Sequence, residues 1–143
     1  LADQGMVSHF DWRDDTHILA WARHRPVGDR FFVFTDPTGE VEVLAGDVLS
    51  EDGHCSYSPD RRWLLTDTYP GKDGRRGLIL YDLERARRLD VGRFYAMPDV
   101  VTGEIRCDLH PRWSRAGRQV CFDSVHEGTR QIYVMDVGAV VGQ

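Results

Sequence analysis

Apolar residues along this chain come in short bursts of strand length, separated by stretches rich in Gly, Pro, Asp and Arg. Ile18 to Ala22, Trp63 to Thr66 and Val120 to Phe122 form one set of bursts. Arg13-Asp14-Asp15-Thr16 and Ser58-Pro59-Asp60-Arg61 precede the first two and read as turns. A second set ends each time in an aspartate: Phe32-Val33-Phe34-Thr35-Asp36, Ile79-Leu80-Tyr81-Asp82 and Ile132-Tyr133-Val134-Met135-Asp136. No long stretch carries the 3.6-residue period of an amphipathic helix. Leu83 to Arg88 reads as a bend between strands.

The bursts belong to an internal repeat. A histidine followed by an aromatic recurs in His9-Phe10-Asp11-Trp12, His54-Cys55-Ser56-Tyr57 and His110-Pro111-Arg112-Trp113. Counting from each His to the Asp that ends the apolar strand gives 36 − 9 = 27, 82 − 54 = 28 and 136 − 110 = 26. Each unit predicts four strands. The first carries the His-x-x-aromatic, the second and third are the two apolar sets, and the fourth is Val41 to Leu44 or Arg88 to Val91. Unit three offers only Val137 to Val141, poor strand material.

Four-stranded units repeating every 40–50 residues or so are the signature of propeller blades. Successive histidines lie 54 − 9 = 45 and 110 − 54 = 56 residues apart, the longer spacing carrying an insertion from Tyr95 to Glu104. The predicted class is all-β, three four-stranded antiparallel sheets forming blades at 6–47, 48–94 and 104–143. Three blades leave sheet faces uncovered, so the expectation is part of a six- to eight-bladed ring. The remaining blades or a second copy of the chain would complete it. A self-contained three-sheet β domain is the competing architecture.

Composition narrows the partners. Eighteen basic against 23 acidic residues give a net charge of −5, which argues against nucleic acid. No apolar run approaches the ~20 residues that span a bilayer, so no membrane partner is expected. Cys55, Cys107 and Cys121 form no close-spaced framework, which fits free thiols and a reducing, cytoplasmic compartment. The first residues, Leu1-Ala2-Asp3-Gln4-Gly5, carry neither Met nor a signal pattern, and suggest a piece of a longer chain.

In a propeller the first strand of every blade lines the central channel, so equivalent residues of successive blades converge. His9, His54 and His110 are therefore expected on one rim, where neutral imidazoles suit a borderline divalent metal such as Mn, Fe, Zn or Ni. Asp52 and Asp108 stand two residues before two of these histidines, and strand alternation would point each the same way as its His. They could add oxygen ligands or orient an imidazole. Arg106 and Arg112 flank the third His and could clamp a carboxylate. Tyr69, in a Thr66-Asp67-Thr68-Tyr69-Pro70 stretch read as a turn, could stack on a sugar. His126 falls in a loop away from the inner strand, His17 and His24 on the surface, and Trp12, Tyr57 and Trp113 between blades.

Ser58-Pro59-Asp60 and the strand Gln131 to Asp136 resemble the TolB-type, WD-like propeller repeat over almost the whole chain. The stretches Ser8 to Trp12, His54 to Tyr57 and His110 to Trp113 also resemble the oligogalacturonate lyase family. That likeness implies seven blades, a manganese-type ion held by channel histidines, and β-elimination on a uronate oligosaccharide. It makes His9, and His54 or His110, correspond to ligand histidines. Where the family has a His two residues before one ligand, this chain has Asp52 and Asp108. The family's base comes from an earlier blade, so the chain would hold part of the machinery. The alternative is a non-catalytic propeller that binds a protein or a carbohydrate.

Overall fold

The computed structural model describes residues 5–100 and 102–142. Three antiparallel meanders follow one another along the chain. The first runs β1 (Val7–Trp12), β2 (His17–His24), β3 (Gly28–Thr35) and β4 (Val41–Val43). The second runs β5 (Cys55–Tyr57), β6 (Trp63–Asp67), β7 (Arg75–Asp82) and β8 (Arg87–Tyr95). A 3-10 turn at Pro98–Val100 occupies the insertion. The third sheet has β9 (Arg112–Trp113), β10 (Gln119–Ser124) and β11 (Gln131–Asp136), followed by the short helix α1 (Gly138–Val141).

Four strands were expected of the third unit, and three are found among the described residues. Val137, Gly138 and Ala139 offer no alternation that could continue the ladder. Instead the amides of Val140 and Val141 turn back onto the Val137 carbonyl, at 2.9 and 3.0 Å. Val137 is buried, and Val140 and Val141 pack on the same apolar cluster.

The turns entering the second strands share one chemistry. The Ser58 hydroxyl accepts the Trp63 amide at 2.9 Å, and Ser114 accepts Gln119 at 3.1 Å. The left-handed corner falls on Arg61 in one turn and on Gly117 in the other, φ 63° and 68°. Gly117 bears that backbone without strain; Arg61 does not.

Strand alternation divides the middle sheet between two cores. Tyr57, Leu64, Ile79 and Tyr81 face the first sheet and meet Leu19, Trp21, Phe31 and Val33. Trp63, Leu65, Leu78 and Leu80 face the third sheet and meet Leu109, Val120 and Phe122. Among the described residues, the two end sheets are covered by a neighbouring sheet on one face only. On the first, the register Phe10↔Ala20↔Phe32↔Val43 and Trp12↔Ile18↔Phe34↔Val41 aligns an apolar outer face. Phe10 on it is 68% exposed and Trp12 45%. On the third, Ile132 and Val134 stand 74% and 65% exposed. Tyr57 and Trp113 pack between blades as expected. Trp12 does not, because among the described residues no sheet lies against its face. Among the described residues, no helix is long and apolar enough to cross a membrane.

Candidate metal and anion site

The three sheets lie side by side with their first strands adjacent, and this gathers the repeated histidines. His9 sits in β1, His54 just before β5 and His110 two residues before β9. Ring centroids are 3.9 Å apart for His9 and His54 and 3.6 Å for His54 and His110. The imidazoles form a tilted stack across three blades. They line a cleft of about 340 Å3 with Phe10, Cys55, Ser56, Pro111 and Arg112.

The acids behave differently from the strand-alternation argument, since neither Asp52 nor Asp108 lies in a strand. Asp52 reaches across the blade boundary to His9 Nδ1 at 3.1 Å, where the Ser8 hydroxyl also lies within 3.1 Å. Asp108 does come within reach of its own His: one donor atom each from His54, Asp108 and His110 fall within 4.8 Å of one another. Its buried carboxylate also holds Arg76 at 2.8 Å and Arg106 at 2.7 Å. The Arg76 Nη2 contact lies out of hydrogen-bond alignment, which makes it an ion pair rather than a directed bond.

Two residues essential to this arrangement escaped the sequence reading. Asp67, in a stretch read as a turn, ends strand β6 and is 2% exposed. Its carboxylate accepts the His54 amide at 2.7 Å and the His110 amide at 3.1 Å, and meets His54 Nδ1 at 3.0 and 3.1 Å. Register could have found it. Cys55 pairs with Thr66, so one step outward sets residue 54 opposite residue 67. Arg76 is also 2% exposed, and nothing in its sequence context marks a buried guanidinium.

Electrostatics keeps the stack neutral at one end. Burial lowers the His110 pKa below its ordinary 6.5, and the neighbouring His54 and Arg112 push the same way. His110 also has φ 43°, a left-handed backbone uncommon outside glycine. Arg112 turns Nη1 onto the carbonyls of His110 and Pro111, at 2.7 and 3.4 Å. Arg106 is nearly half exposed and lies with Arg76 against the Tyr69 ring, 5.7 and 5.9 Å from its centroid. Tyr69 lies 6.5 Å from His9. Burial raises its phenol pKa, and Asp52 adds to the rise. The other histidines stay outside: His126 packs on Tyr133 and Phe94, His17 pairs with Asp14 at the surface, and His24 lies on Phe32.

No protein-family model matches the chain, and no curated protein matches it either. Solved structures do. TolB from Acinetobacter baumannii superposes with a TM-score of 0.69 at 20% identity, over 93% of this chain and 30% of that one. The β-propeller domain of the Trilobed protease from Pyrococcus furiosus gives 0.62 at 8% identity, over 93% and 39%. The chain spans about a third of the length of these structures. The fold is a β-propeller, and at such identities the likeness extends to fold alone.

Proposed function

We propose that this chain is the metal-bearing portion of a larger propeller enzyme that cleaves uronate oligosaccharides by β-elimination, in the manner of oligogalacturonate lyases. The observation that carries this reading is the stack of three imidazoles from three consecutive blades. This stack gathers nitrogen donors from three blades at one cleft.

The donor set fits a divalent ion. His9 and His54 each engage a carboxylate through Nδ1, the arrangement in which a ligand imidazole is held by an outer partner and keeps Nε2 free. Nothing among the described residues bonds the His110 ring nitrogens, and its lowered pKa keeps it neutral, as a ligand must be. His54 and His110 are assigned as ligands, with His9 beside them. Asp108 offers an oxygen only in competition with Arg76 and Arg106, and Asp52 orients His9. When bound, a manganese-type ion supplies Lewis acidity toward the substrate carboxylate.

The chain's own residues bind and orient the sugar. Arg106, with Arg112 as second candidate, faces the uronate carboxylate as a charged donor. Tyr69 offers an aromatic surface beside it. In the elimination a base removes the C5 proton, its electron pair becomes the C4–C5 double bond, and the C4–O bond breaks with its pair to the leaving sugar. The base is assigned to blades beyond this chain.

Metal analysis of the purified chain, with His54→Ala and His110→Ala as controls, tests the site. Near-stoichiometric metal, lost in both variants, supports it; a metal-free wild type makes the chain a binding propeller instead. Ultraviolet absorbance of the unsaturated uronate, followed on a protein that contains these blades and the rest of the ring, tests the reaction. No absorbance from a metal-loaded protein would remove the lyase reading.

A further inference from the structure

Asp67 has a role that the histidine repeat does not disclose. It is a carboxylate on the middle blade, almost without solvent access, and it has three partners from two blades. Oδ1 takes the His54 amide at 2.7 Å and Oδ2 takes the His110 amide at 3.1 Å. His54 Nδ1 sits between the two oxygens, 3.1 and 3.0 Å away. An ionised carboxylate only accepts, so the proton of a neutral His54 ring must sit on Nδ1. Nε2 then keeps its lone pair.

The backbone bonds do a second job. His110 holds a left-handed φ of 43°, which a non-glycine residue keeps only where its surroundings impose it, and its amide is tied to Asp67. The approach to His54 is equally tight. A Cβ on Gly53 would lie 1.8 Å from the Asp67 carbonyl oxygen, so only glycine lets the chain pass there. By contrast, the His9–Asp52 pair, which also joins two blades, is partly solvated, 20% and 27% exposed.

We infer that Asp67 is a positioning residue: it fixes His54 as the Nδ1–H tautomer and ties the His110 backbone to it, so that two imidazoles from different blades act as one unit. Its relevance to a metal rests on the reading proposed above, but the tautomer does not.

The test is a long-range 1H–15N correlation spectrum of the labelled, metal-free chain at neutral pH, followed by Mn2+ titration. His54 is expected to have a protonated Nδ1 and a bare Nε2. The opposite tautomer, or protons on both nitrogens, overturns the inference without any variant. In Asp67→Asn, His54 should lose this pattern while His17, paired with Asp14 at the surface, keeps its own. Mn2+ binding should weaken roughly 10- to 100-fold. Unchanged affinity in a folded Asp67→Asn also overturns it. A wild type that has the expected tautomer and takes up no Mn2+ upholds the role of Asp67 and removes the metal reading.

Discussion

Strands β7 and β11 hold the same place in successive blades and have similar apolar stretches, Leu78-Ile79-Leu80-Tyr81 and Ile132-Tyr133-Val134-Met135. In β7 all four side chains are buried, two against each neighbouring sheet. In β11, Tyr133 and Met135 pack on the middle sheet while Ile132 and Val134 face solvent. The strands are alike; what differs is the number of neighbours. A blade draws its stability from the sheets on either side, as in any stacked repeat. The candidate site exploits this, since Asp67 and Arg76 belong to the doubly covered sheet and His54 stands at its edge, just before β5.

If that contrast is real, damage to the middle blade must cost far more than the same damage at an end. Arg76→Ala is the severest case. It removes a buried guanidinium from Asp108, leaving only the half-exposed Arg106 to balance a buried charge. Breaking such a pair costs roughly 3–5 kcal/mol, read as a lower urea midpoint. A loss below about 1 kcal/mol would mean that Arg106 alone suffices. Leu80→Ala comes next, at about 2–5 kcal/mol for a fully buried leucine between two packed sheets. A cost near that of a surface change would break the contrast outright.

How far the sequence anticipates this molecule follows the same division. Period-2 alternation and turn residues report what happens within a blade, so the strands and the histidine spacing were legible. Contacts between blades depend on how sheets stack, and periodicity is silent there. Asp52 illustrates it: two residues from His54, it serves His9, 52 − 9 = 43 residues away. Asp67 and His110 are again 110 − 67 = 43 residues apart. The missing fourth strand of the third unit was half legible, because Gly138 and Ala139 announce weak strand material without announcing a helix.

A smaller effect comes from His110, at the seam between the middle and last blades. Its folded pKa lies below 6.5, chiefly through burial. The unfolded imidazole therefore binds its proton first as pH falls, and proton uptake by the unfolded state lowers stability. In metal-free buffer the loss should begin as pH drops through about 6.5 and level off below the folded value. His110→Asn retains a residue that tolerates positive φ and removes the ring. The difference in stability between wild type and variant should be flat above pH 6.5 and move against the wild type below it. A difference that stays flat down to pH 5 would show that the ring is as solvated as a free imidazole.

The smallest expected effect sharpens the comparison most. Ile132→Thr and Val134→Thr alter a strand whose outer face meets no sheet among the described residues. Threonine keeps the β-branched shape that strands favour, so each change should move the stability of the chain by no more than about 0.5 kcal/mol. The same substitutions on a covered face would remove buried methyl groups and bury hydroxyls, at about 1 kcal/mol or more each. Unfolding midpoints measured over a hundredfold range of protein concentration separate the two cases. Small, concentration-independent changes keep the last blade an open end. A large loss that grows with dilution would mean that copies of the chain already cover this face in solution, and β11 would then be as enclosed as β7.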